Sequence, residues 1–307
     1  MKKFLLLIVC LMMIGMQSVQ AQVAIAALHH EGNVSIYQAS ALQEAINVAV
    51  KGDTIYLSEG VFGGFKVSEP IAIIGSGQTT VISGNVSVGK QTGSVDSLGV
   101  GFLLSGLSFV QNVNFYNTIV GARVMQCKIT GNCTFSNQYS SGSFDEIEII
   151  MSQIGELELT TYVKGLTVVA SKLSSVSGTS ANEGSATFLN CNIGQGKDSH
   201  GNYVACILET AYYGVYSNCL YYNYGSPVFY NCYYTENNLL DEDQNCTLTD
   251  DQLKAAGYVG SDNTWVGING GEVKFSLVMP IVQVTEHSLE VDQAERKLKV
   301  SLKLGNK

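Results

Sequence analysis

At 307 residues, with 17 Lys plus Arg against 26 Asp plus Glu and a formal charge of −9, the chain is acidic and long enough for one large domain or two ordinary ones. Only Arg123 and Arg296 are arginines, which sets aside a nucleic-acid binder, since that class needs clustered Arg and Lys to displace phosphate counterions. A hydrophobic content of 46% excludes intrinsic disorder, and 3 prolines beside 32 glycines exclude Pro-rich linkers and collagen-like chains.

The first residues read as an address. Lys2 and Lys3 precede an apolar run from Phe4 to Met16, and Val19-Gln-Ala21 offers small residues for cleavage after Ala21. Residues 1–21 are therefore expected to be a signal peptide, the alternative being a permanent N-terminal anchor. Export implies a secreted, cell-surface or periplasmic protein. Losing Lys2 and Lys3 takes the charge from −9 to −11. No later apolar run is long enough to span a bilayer, so no transmembrane segment is expected after cleavage. The seven cysteines from Cys127 to Cys246 include no C-x-x-C pair and few histidines for company, so they read as small buried apolar residues rather than zinc ligands. His29-His30 reads as a flexible polar segment.

Leu42, Ala45, Ile46 and Ala49 form one stripe of a helix, with Ser40 and Gln43 as a capping box and Gly52 as the stop. Short β-runs follow, among them Ile71–Ile74, Arg123–Ile129, Ile147–Ile154, Leu166–Leu173 and Ala186–Ile193. Several share a phrase with a small residue at a fixed slot: Cys127, Ser152, Ser171 and Cys191, then Cys232. Near Val215 the phrase slips by one residue. An irregular period near 20 residues without helical periodicity points to a β-solenoid, with Ser and Cys stacked as an internal ladder. Thr249 and Gln252 read as a second capping box before a short helix near the far end. Alternation in Leu289 and Val291, then Leu298, Val300 and Leu302, reads as a hairpin laid against the last coil, or as a tail that docks a partner.

Ala41 to Asn47 followed by Gly52-Asp-Thr-Ile-Tyr-Leu-Ser-Glu-Gly60 resembles the opening of right-handed parallel β-helix proteins of the pectate-lyase superfamily. Ile71-Ala-Ile-Ile-Gly-Ser-Gly77 looks like their next coil, and Asn-Cys at 190–191, 218–219, 231–232 and 245–246 is similar to their internal coils. Tyr258 to Gly271, followed by Pro280, resembles the closing segment of secreted β-helix proteins of Bacteroidetes-type bacteria. The resemblance implies an all-β, right-handed parallel β-helix with an N-terminal capping helix and a short C-terminal β tail: residues 22–280 as the helix domain and 281–307 as the tail. It implies no single activity, because the superfamily carries lyases, hydrolases, esterases and non-enzymes.

Two groups of residues are candidates for chemistry. Glu146 and Glu148, then Glu156 and Glu158, alternate with apolar residues and point outward, as a Ca²⁺ site, a glycosidase pair or an ordinary solvated face. Nine tyrosines crowd into residues 212–234. Tyr213, Tyr222, Tyr224 and Tyr234, with Asn223 on the rim, are the candidates for an outward stripe that holds sugar rings. The alternatives are a tyrosine wall sealing the last coils, and asparagines in amide ladders at turns. No catalytic set and no required cofactor emerges. The expectation is a non-catalytic exported scaffold binding a polysaccharide, a cell-surface glycan or, through its tail, a surface protein. The rival is a polysaccharide lyase or glycoside hydrolase on the same fold.

Overall fold

The computed structural model describes residues 23–89, 100–116, 119–136, 143–159, 163–178, 185–198, 201–260, 263–279, 282–292 and 297–306. The signal peptide expected at 1–21 lies outside them. The fold is all-β with two large sheets and few helices, an arrangement compatible with a β-helix. One sheet has twelve strands and the other thirteen, and beyond the first hairpin their pairings are parallel. The chain alternates between the two sheets, and each strand pairs with its counterpart in the next level.

Alternation along each strand sends one set of side chains into the space between the sheets. Register stacks Ile55, Ile73, Leu104, Val124, Ile149, Val168, Phe188, Tyr203, Tyr216 and Phe229 on the first sheet. The second stacks Ile82, Phe109, Ile129, Ile154, Leu173, Ile193, Leu208, Tyr221 and Tyr234. Except at the last levels these side chains are fully buried. Burial of each is worth about 1.5–3 kcal/mol, which makes this stack the main stabilising feature.

The repeated phrase marks the corner between the sheets. Gly106, Gln126, Met151, Ala170, Asn190, Ala205, Asn218 and Asn231 all have φ between 46° and 62°. Each turns the chain from one sheet to the other, and the next residue points inward. Asn tolerates this left-handed backbone better than most residues, and Cys fits the small interior slot, which explains the recurring Asn-Cys pair. The amide of Cys127 donates to Ser152 Oγ and that of Ser152 to Ser171 Oγ; those of Cys191, Cys206 and Cys219 donate to the next sulfur, at Cys206, Cys219 and Cys232. The expected ladder is therefore present, with two corrections. Cys206 is a member that the 20-residue period skipped, because the later levels are shorter. Cys219 holds its slot without a slip, since Tyr216 rather than Val215 is the inward residue before it. Asn245-Cys246 is not a corner; it lies in a loop, bridged to Leu240.

At the N-terminal end a hairpin of β1 (Ile25–His30) and β2 (Asn33–Gln38) adds two antiparallel strands beside Thr54–Leu57. His29 and His30 are thus part of a strand, not a flexible segment. His29 packs edge-on against Tyr56, and His30 Nδ1 lies 2.9 Å from Asp53 Oδ1. Helix α1 spans only Leu42–Val48 and buries Leu42, Ala45 and Ile46. The expected Ser40–Gln43 capping box does not form: Ala41 is the N-cap, and the Gln43 side chain instead bonds both backbone groups of Lys66.

Residues 235–260 leave the stack, and residues 263–279 return along its outside. Helix α2 (Asp250–Ala255) carries the expected Thr249–Gln252 capping box. Leu240, Leu253 and Val266 pack with Ile207 and Leu220 from the outer surface of the second sheet. The chain then runs back along the corners. Gly270 and Gly271 pass so near Asn190 that a Cβ on either would collide with its amide, Gln126 Nε2 donates to the carbonyls of Ser276 and Val278, and Met279 lies against Ser105, leaving no room for a Cβ at Gly106. The expected tail hairpin exists as Val282–Asp292 and Lys297–Asn306, a two-stranded sheet of its own. Its root lies beside the early levels rather than the last coil, because this strap carries the chain back.

Candidate functional site

The last levels gather the aromatic residues. Phe188, Tyr203 and Tyr216 stack face to face in the interior, with ring centroids 4.7 and 4.4 Å apart. Phe229 continues the column and stacks on Tyr221 at 4.2 Å. Tyr224 and Tyr234 then meet Tyr221 edge-on at 5.9 and 5.7 Å. Among the described residues no strand pairs beyond Val228–Tyr230 or Tyr233–Tyr234. The inward positions therefore open at the end of the stack, where Tyr224 and Tyr234 are 58% and 57% exposed.

This arrangement differs from an outward stripe. Tyr234 occupies an inward register position opposite Tyr221, and Tyr224 another opposite Ala211. Tyr213 is half-exposed in a turn, where its carbonyl accepts the Tyr216 hydroxyl at 2.6 Å. Tyr222 is half-buried, and Asn223 stands exposed beside Thr210. The structure thus brings Tyr224 and Tyr234 together and leaves Tyr213 outside their cluster. Tyr221 and Phe229, which complete the platform, were not among the sequence candidates. The signal that could have found them is the final slot, Cys232, because the inward residues around the last slot have no next level above them. Tyr203 and Tyr216 are fully buried in the interior stack, and Asn218 and Asn231 are corner residues. No Lys or Arg occurs between Lys197 and Lys254, so the platform is uncharged to faintly acidic. Burial raises the Tyr221 hydroxyl's pKa, keeping it a neutral donor.

The four glutamates do not form one set. Glu148 is on the first sheet, where Oε2 pairs with Arg123 Nε at 2.6 Å. Glu146 sits at a left-handed kink just before that strand, with φ 51°. Glu156 and Glu158 are on the second sheet, accepting from Ser177 Oγ at 2.7 Å and Thr134 Oγ1 at 3.1 Å. The corner at Met151-Ser152 separates the pairs. Among the described residues no group of three or more His, Cys, Asp or Glu is placed to hold a metal ion. Arg123, Glu146 and Glu148 do line a groove, together with Leu103, Gly121 and Thr167.

The seven cysteines from Cys127 to Cys246 are free thiols. Burial pushes the Cys127 thiol up to about 12, and Cys133 higher still. A second polar node fastens the outer excursion. Lys172 is almost fully buried, donates to Asn245 Oδ1, and lies 4.7 Å from the Phe275 ring centre. Burial lowers its pKa, against the pull of Asp241 and Asp243. Trp265 is flanked by Lys254 and Lys274, 3.8 and 4.2 Å from its ring centre.

No protein-family model, curated protein or solved structure matches the chain. No helix among the described residues is long and apolar enough to cross a membrane.

Proposed function

We propose that this chain is an exported right-handed parallel β-helix protein of the pectate-lyase-like type, which binds a glycan without cleaving it. Its helix domain runs over residues 22–280 and its tail over 281–307. Parallel levels, left-handed corners and a Ser/Cys ladder support the fold reading, and the leader at 1–21 supports export to the periplasm, surface or medium. The observation that carries the binding role is the exposed platform of Tyr221, Tyr224, Phe229 and Tyr234. Sugar CH faces pack on such rings, while the phenol hydroxyls and Asn223 supply polar contacts at the rim.

The test is a glycan screen of residues 22–307 that scores binding and product formation together, with Ca²⁺ and with EDTA. Binding without products is expected, weakened about tenfold by Tyr224→Ala or Tyr234→Ala, the loss of about one ring contact. Binding that survives both substitutions overturns the assignment. The alternative, a polysaccharide lyase or glycoside hydrolase, draws on the Arg123–Glu148 groove. Shortened or unsaturated products abolished by Glu148→Gln would establish it.

A further inference from the structure

The first sheet carries an apolar patch on the outer surface of its opening strands. Val34 and Ile36 on β2 are 52% and 60% exposed. Register sets Ile36 beside Ala27, and Ala27 beside Tyr56, itself exposed. Among the described residues the far edge of β2 is unpaired. Edges of this kind are usually blunted by Lys, Pro or a covering element, and Asn33–Gln38 contains neither Lys nor Pro.

The register of the tail hairpin sorts its residues into two sets of positions. Register places Leu289 opposite Val300 and Val291 opposite Leu298 at positions of one face, with Glu290 opposite Lys299 and Asp292 opposite Lys297 at positions of the other. A two-stranded hairpin is marginal alone and needs a surface for its apolar side.

The path of the chain joins the two. Tyr56, Ile74 and Ser105 are successive register partners on the outer surface, and Met279 lies against Ser105. Met279 is thus two strand spacings, about 10 Å, from Tyr56, and Ile36 is two spacings further. Val282 follows Met279 by three residues, a reach of about 10 Å, and an arm of ten residues can cross every strand in between. We propose that the C-terminal hairpin folds back over the opening strands and covers Val34, Ile36 and Tyr56. The occupant of the patch is then this chain's own tail, and the aromatic platform at the opposite end stays open.

The experiment compares residues 22–307 with the Ile36→Glu variant, an exposed site whose change leaves the core intact. Tryptic cleavage near Arg296 and amide exchange of 282–306 are followed, with Trp265 fluorescence as the check on the fold. The wild-type hairpin is expected to be protected. Ile36→Glu should speed its cleavage about tenfold or more, because cleavage follows the population of the open form. Leu289→Glu should, in return, speed exchange across Asn33–Gln38. Equal cleavage of wild type and Ile36→Glu would overturn the proposal. So would a wild-type dimer in sedimentation that Ile36→Glu dissociates while the tail is cleaved equally in both, since a second copy would then be the cover.

Discussion

The backbone N–H of Cys219 donates to Sγ of Cys232 at 3.4 Å, and that sulfur donates to the carbonyls of Tyr216 and Tyr230. The same exchange recurs at Cys191 and Cys206, so each small side chain both accepts from one level and donates to backbone carbonyls. Ser152 and Ser171 do this with oxygen. Cys206→Ser should therefore be tolerated. Cys206→Val leaves the buried Cys191 amide without its acceptor and should cost about 1–3 kcal/mol in urea denaturation. Equal stability of the two variants would show that the slot selects for size alone.

Accessibility among the cysteines is graded as well. Cys127, Cys133, Cys191, Cys206 and Cys219 are fully buried, while Cys232 at the last level is partly exposed. Its pKa is lowered, because the Cys219 thiol and amide donate to the thiolate against the cost of burial. In Cys246 burial raises it. Iodoacetamide at neutral pH should modify Cys232 first, Cys246 more slowly and the other five only on unfolding, as read by peptide mass spectrometry.

Lys172 ties the outer excursion to the second sheet through Asn245 and Phe275. Lys172→Ala removes the bond, the ring contact and the packing of the stem. A loss of about 1–3 kcal/mol is expected. As the chain's one tryptophan, Trp265 lies in that excursion and reports on it. Its fluorescence should change in a transition preceding the loss of the β circular-dichroism signal. A single coincident transition would mean that the excursion and the sheets unfold as one unit.

Much of this architecture could be read from the chain because the interior slot is chemically narrow. From Gln126 onward a small residue follows each of the left-handed corners between the sheets, so Cys127, Ser152, Ser171 and Cys191 announce the levels, whereas Leu107 after Gly106 does not. The N-terminal hairpin and the strap gave no such signal. Gln126 bonds carbonyls about 150 residues away, which no local pattern encodes. Alternation reads the glutamates as two like pairs, but Glu146 sits at a left-handed kink outside the strand, and the pairs lie on either side of the Ser152 corner and so on different sheets. It also assigned the tyrosine faces strand by strand. Exposure of the inward Tyr234 depends instead on the lack of a next level, a property of the topology.

If the carboxylates are separate, Ca²⁺ should have little to grip. Adding Ca²⁺ or EDTA is expected to leave Tm unchanged, and Glu148→Gln, in an exposed ion pair, should shift stability by no more than about 1 kcal/mol. A Ca²⁺-dependent rise in Tm that Glu148→Gln abolishes would place a cation in the Arg123 groove.

The His30–Asp53 pair makes the N-terminal end sensitive to pH. The Asp53 carboxylate accepts from His30 and attracts it, raising the His30 pKa above the ordinary 6.5. Burial acts to raise the Asp53 pKa, but the Val50 amide and His30 outweigh it and hold it below 3.8. A raised histidine contributes stability that is complete below 6.5 and is lost as pH climbs through its folded value. A lowered carboxylate contributes stability that is complete above 3.8 and is lost as pH falls through its folded value. The pair should therefore stabilise the hairpin most between about pH 4 and 6.5. His30→Ala should lower Tm inside that window, by an amount that shrinks as pH climbs through the raised folded value of His30 and the imidazole loses its charge. Asp53→Asn should lower Tm at both ends, because the Val50 amide loses a charged acceptor. A His30→Ala profile parallel to wild type from pH 4 to 9 would show that the pair adds no protonation-linked stability, leaving Asp53 with only its role as acceptor for the Val50 turn.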